Sequence, residues 1–114
     1  MSFTPSQIIE YLYCPRFTYF EYVLRIPQHE HKFHKVMKGR EVHEEQQERN
    51  KDYLRKKIGV TKKHIGQYLT NEYLRGEVDE VLEINNRTMA PLDYKYAQYK
   101  DRIYETYKTQ LYCY

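Results

Sequence analysis

In "APLDYKYA", residues 90 to 97, an aspartate and a lysine stand two positions apart, Asp93 and Lys95. In an extended strand such positions project to the same face, so a carboxylate and an ammonium would reach one small target together. A second acid, Asp79, lies in "RGEVDEV" flanked by Val78 and Val81, a strand-like setting that disfavours aspartate. Two hard oxygen donors are what Mg²⁺ or Mn²⁺ asks for. A nearby ammonium offsets the charge that develops at an attacked phosphate. Taken alone, the Asp93–Lys95 pair reads better as a surface ion pair worth about 0.5 kcal/mol than as an active site. Gly76 would let a backbone approach closely beside Asp79, while Glu77 and Glu80 read as ordinary solvent-facing acids.

The elements that must position these groups are legible in the punctuation. "TPSQ" at 4 to 7 is a capping box, with Thr4 at the N-cap, Pro5 at the first helical position and Gln7 closing it. A helix follows until "CPR" interrupts it; "FTYFEYVLR" continues as a second short helix and "IPQHEH" is a loop. From Phe33 to Ile58 runs a long helical pattern closed by Gly59. Its apolar stripe thins in the middle, where the inward face presents Arg40, His43, Glu44 and Gln47. Three strands are expected at 64–71, 73–84 and 87–96, with a hairpin turn at Asn85–Asn86. A last amphipathic helix opens at Asp101 and carries Ile103, Tyr107, Gln110, Leu111 and Tyr114. The expectation is an α+β fold in one domain over 1–114: helices, a three-stranded meander, a helix.

Register decides whether the acids meet. A tight two-residue turn would pair Ile84 with Arg87 and set Asp79 and Asp93 on opposite faces, because a one-residue slip flips every side chain. Convergence on one metal ion demands a longer turn or a bulge, for which Pro91, with no N–H for the ladder, is a natural place.

Composition excludes several classes. Charged residues make up 31% and apolar ones 40% of the 114, too apolar for a disordered tail. No run approaches the ~20 apolar residues of a bilayer span. The N-terminus has no basic region ahead of an apolar core, so a cytoplasmic location is expected. The net charge of +3 permits a polyanionic partner. Lys56, Lys57, Lys62 and Lys63 cluster, and fourteen tyrosines interleave with basic residues, a pattern suited to stacking on bases and gripping phosphates. Most of those tyrosines individually read as half-buried core edges with wet hydroxyls. Cys14 and Cys113 have neither disulfide-framework nor zinc-site spacing, and each reads as a partly buried thiol.

"GREVH" (Gly39 to His43), "GEVD" (Gly76 to Asp79), "LDYK" (Leu92 to Lys95) and "QLYCY" (Gln110 to Tyr114) follow one another in the order and at roughly the intervals of RecB-like nucleases of the PD-(D/E)xK superfamily. The opening "TPSQIIEYLYCPRFTYF" resembles the start of the CRISPR-associated RecB-type exonucleases, the Cas-four type. The resemblance covers essentially the whole chain. It implies a restriction-endonuclease-like PD-(D/E)xK core and a metal-dependent DNA nuclease acting on single-stranded DNA or overhangs in spacer acquisition, beside other CRISPR adaptation proteins.

It further implies metal ligation by His43, Asp79, Asp93 and the Tyr94 backbone carbonyl, Lys95 as the catalytic cation, and Gln110 and Tyr114 placing DNA or water. Packing is a nearly equal reading for those last two. Cys14 would be one iron–sulfur ligand. The family's other three cluster cysteines and its final strand have no counterpart before Tyr114, so the chain is expected to be a truncated product in which Cys14 is a plain thiol. The rival expectation is an inactive module of the same fold that binds DNA or a protein, with an open sheet edge available to a second copy.

Overall fold

The computed structural model describes residues 1–29 and 33–114. Helix α1 (Pro5–Tyr13) opens on the expected capping box. Thr4 Oγ1 accepts from the Gln7 amide at 3.2 Å and Gln7 Oε1 accepts from the Thr4 amide at 2.9 Å. Cys14 ends it in extended backbone, as a residue before proline must. Pro15 then starts α2 (Pro15–Thr18), which runs into a π-helical turn over Tyr19–Val23. The loop expected at "IPQHEH" lies partly outside the described residues.

Helix α3 spans His34–Arg49, well short of the expected end at Ile58. Between His43 and Tyr53 the sequence offers no apolar side chain to pack, and helix propensity alone does not sustain a helix in water. The Asn50 carbonyl, just past the end, accepts from Lys63 Nζ, a cation where the helix dipole favours one. Lys56–Ile58 form a separate 3₁₀ turn, which Gly59 closes in the left-handed region at φ 84°. A Cβ there would lie 2.4 Å from Asn85 Oδ1, so only glycine fits.

Strands β1 (Val60–Thr70), β2 (Arg75–Ile84) and β3 (Thr88–Leu92) form an antiparallel meander in that spatial order. The third strand stops at Leu92, so Asp93, Tyr94 and Lys95 lie just beyond the ladder rather than inside it. Helix α4 (Glu105–Cys113) starts after Tyr104 and not at Asp101. Asp101 has φ 53° and its carboxylate accepts from the Tyr99 hydroxyl at 2.8 Å, so it caps no helix. Among the described residues the fold is α+β, four α-helices with one three-stranded sheet. No helix among the described residues is long and apolar enough to cross a membrane.

The N-terminus ties the helices to the sheet. The Phe3 amide donates to the Tyr73 carbonyl and the Arg75 amide to the Phe3 carbonyl, an isolated parallel bridge at the β1–β2 turn. Helix α1 then packs on α4. A Cβ on Gly76 would lie 3.0 Å from Pro5 Cδ and 3.2 Å from Tyr114 Cε1, so this glycine admits side chains of α1 and α4 rather than a passing backbone.

The buried residues concentrate on β2, where Val78 to Leu82 are all buried with Val60 beside them. Five buried residues in a row mean that both faces are covered, which strand alternation does not anticipate. Glu80 is therefore not the solvent-facing acid expected of it. Its side chain is 2% exposed; Lys63 Nζ lies 2.7 Å from Oε1 and Arg55 3.6 Å from Oε2. The Lys63 contact is an ion pair off the line of a hydrogen bond, since Oε1 has no hydrogen-bond partner. Breaking such a pair strands a buried charge. Lys63→Met should lower unfolding stability in urea by about 3 kcal/mol, and adding Glu80→Gln should recover a large part of that loss.

Candidate active site

Two consecutive asparagines turn the β2–β3 hairpin. Asn85 and Asn86 have φ 52° and 56°, and the Arg87 amide donates to the Ile84 carbonyl at 3.1 Å, as in the mirror-image turns that suit hairpins. Yet Ile84 pairs with Thr88, not Arg87, and the ladder runs on without a slip to Glu80 opposite Leu92. Arg87 is the extra residue. The turn is the longer one that convergence demanded, and Pro91 stays in register opposite Val81. Edge position makes a proline tolerable there. One further step of this register sets Asp93 across from Asp79.

Asp79 is held from three directions. His43 Nε2, on α3, lies 2.8 Å from Oδ2, and the Tyr94 amide donates to the same oxygen at 2.7 Å. The third neighbour is Asp93. Burial pushes the Asp79 carboxyl above its usual range, and the adjoining Asp93 pushes it the same way, against the bonds from Tyr94 and His43. Two largely buried carboxyls side by side repel when both are ionised.

Lys95 answers part of that charge. Its Nζ donates to Asp93 Oδ2 at 2.9 Å and to Gln110 Oε1 on α4, and lies 5.4 Å from the centre of the Tyr107 ring. Gln110 is thus buried against the lysine. Tyr114 stands close enough to both aspartates to feel their charge. Burial is the main cause pushing its phenol up, with Gln110 pulling it down. Its hydroxyl donates to the Glu77 carbonyl at 3.0 Å. An open cavity of about 340 Å³ lies beside the cluster, lined by Gly39, Arg40, His43, Glu44, Tyr94 and Lys95.

The other candidates fall elsewhere. Lys56, Lys57 and Lys62 are exposed, but Lys63 is only 6% exposed and its ammonium is committed to Glu80 and the end of α3, so it is not offered to a strand of DNA. Cys14 sits between α1 and α2 and Cys113 at the end of α4, both as free thiols; burial pushes the Cys113 thiol up. Sequence reading missed Glu80, Arg55 and the Tyr94 hydroxyl. The Tyr94 hydroxyl donates to Glu80 Oε2 at 2.6 Å, and burial, then that carboxylate, push its phenol up and keep it a donor. The usable signal was an acid pair, Asp79–Glu80, inside a run of valine and leucine.

Among the described residues no three His, Cys, Asp or Glu side chains stand grouped as they would around a metal ion. By chemistry, however, two crowded carboxylates and an imidazole suit a divalent cation, which would relieve the repulsion that burial imposes.

Because the folded value of Asp79 lies above its unfolded one, its contribution to stability is fully present only below about pH 4 and is lost as pH rises through the raised value. Asp79→Asn removes that dependence. In metal-free buffer the variant should therefore gain on the wild type between pH 4 and pH 7. Urea unfolding across that range checks it; a gap that stays constant or narrows contradicts the assignment.

Compared with protein-family models, with curated proteins and with solved structures, the chain matches none.

Proposed function

We propose that this chain is a divalent-metal-dependent DNA nuclease domain with a PD-(D/E)xK core of the RecB-like type, hydrolysing phosphodiester bonds in single-stranded DNA or overhangs. The observation that carries the reading is the meeting of Asp79 with Asp93, with Lys95 bonded to Asp93 and His43 to Asp79. Counting Gln110, four separate segments of chain converge there although nothing in local structure requires it.

Asp79, Asp93, His43 and the Tyr94 carbonyl would hold Mg²⁺ or Mn²⁺. When bound, such an ion supplies a low-pKa water and neutralises the scissile phosphate. Lys95 stabilises the charge that develops on the phosphoryl oxygens. Gln110 and Asp93 hold its ammonium in place, so no reorganisation is needed when that charge appears. Tyr114, close enough to both acids to feel their charge, limits water on the α4 side. The exposed Lys56, Lys57 and Lys62, with outward tyrosines, grip the phosphate backbone of the strand. The Cas-four resemblance extends the reading to DNA fragments captured during spacer acquisition.

A second reading has one observation behind it. His43 bonds directly to Asp79, and no three ligands are grouped among the described residues. An inactive DNA-binding or protein-interaction module of the same fold would look like this.

Cleavage of end-labelled single-stranded DNA with Mg²⁺ or Mn²⁺, and with EDTA, separates the two. The nuclease reading expects metal-dependent products that fall at least about 100-fold in Asp93→Ala and Lys95→Ala, on the scale of losing one preorganised charge-stabilising group. Binding without cleavage, unchanged in both variants, establishes the module instead.

A further inference from the structure

Asp93, Tyr94 and Lys95 carry the chemistry proposed above, yet they lie beyond the last rung of β3, where no sheet hydrogen bond holds them. Something else must fix their backbone to within the tolerance that catalysis needs. The geometry points to Tyr94 as a positioning residue: its two ends fasten this segment to consecutive acids that face opposite sides of β2. Its amide donates to Asp79 Oδ2 at 2.7 Å, and its hydroxyl donates to Glu80 Oε2 at 2.6 Å. Its ring also meets the His43 imidazole edge-on, with centroids 6.1 Å apart. The inference rests on the nuclease reading and adds to it a role for the Tyr94 hydroxyl and for Glu80, neither of which the resemblance supplies.

The support is anchored on a Glu80 that is buried and paired with cations. Its carboxylate is held by Lys63 from β1 and approached by Arg55 from the segment after α3, both across the face away from Asp79. A short chain of contacts therefore runs from that buried cluster through the Tyr94 ring to the Asp79 oxygen that His43 also touches. Groups that orient metal ligands from behind in this way commonly change affinity 10- to 100-fold when removed. Tyr94 touches the ligand through its own backbone. Losing its hydroxyl acts only by letting that backbone drift.

Tyr94→Phe removes the hydroxyl and keeps the ring and the amide. Two readouts are required: hydrogen exchange of the residue-94 amide, and Mn²⁺ affinity from loss of the free-ion EPR signal. The positioning role expects the residue-94 amide to lose at least about 10-fold in protection while the Val78 and Val81 amides keep theirs. It also expects Mn²⁺ affinity to fall about 10- to 100-fold with urea stability nearly unchanged. Glu80→Gln, which still offers an oxygen to the hydroxyl, should keep the residue-94 protection even where its stability drops. Unchanged protection and affinity in Tyr94→Phe overturn the inference. So does a global loss of protection in step with stability, which would make Tyr94 a packing residue only. If the wild type binds no Mn²⁺ and cleaves nothing, the nuclease reading fails, and the amide readout still decides whether Tyr94 positions Asp79.

Discussion

Strand parity is the constraint on which the site depends. A β-strand presents alternate residues to alternate faces, so the number of residues in one turn decides whether Asp93 meets Asp79 or turns its back on it. Here the asparagine pair makes the reversal and Arg87 adds the odd residue, so that Ile84 pairs with Thr88. Everything downstream inherits that choice. Lys95 reaches Asp93 and Gln110, and Tyr94 reaches both neighbouring acids of β2, only in this register. The turn is itself held from outside, since the Asn85 amide donates to the Gly59 carbonyl at 2.9 Å and the Asn85 side chain fills the space where Gly59 lacks a Cβ.

Consecutive acids on one strand have opposite circumstances. Glu80 is the more deeply buried, and it is matched by a lysine, an arginine and a tyrosine hydroxyl. Such compensation is what permits a charge to be buried at all. Asp79 faces another carboxylate, and burial with that neighbour raises its pKa. One acid is charge-matched by the fold, although its Oε1 has no hydrogen-bond partner, and the other stands beside a second carboxylate. That contrast sets the two carboxylates apart on physical grounds, independent of motif.

Much of this was legible in the sequence, for reasons particular to each segment. The capping box, the break at Cys14–Pro15 and the glycine at 59 are local chemistry that a few residues determine. Strand boundaries were close for β2, whose valines and leucine are unmistakable. Helix α3 was overdrawn because charged residues with good helix propensity continue past Arg49, while no apolar side chain between His43 and Tyr53 packs them and the contact just past the helix end comes from Lys63 on a strand. Asp101 looked like a cap, yet it adopts a left-handed turn secured by Tyr99. Lys63 and Glu80 were read as surface charges because period-2 reasoning assumes one wet face, and β2 is covered on both. Pairing across sequence separation, which no local pattern encodes, is what the sequence reading lacked.

Helix α4 shows how the fold and the site are joined. Few large apolar side chains are buried in this chain, and Gln110 is the buried residue of α4. A helix whose most protected side chain is a glutamine bonded to a lysine is docked partly by that polar contact. The same holds at α3, where Val36 and Met37 are exposed and Val42 is only half-buried while His43 bonds to the sheet. In both helices a polar side chain bonded into this cluster, His43 to Asp79 and Gln110 to Lys95, does part of the work that an apolar stripe does in other small domains. Such contacts are directional, so they specify where the helices sit more sharply than hydrophobic burial does. They also tie the placement of both helices to the charged groups of this cluster, so that α3 and α4 are held to the sheet by the same side chains that surround the two acids.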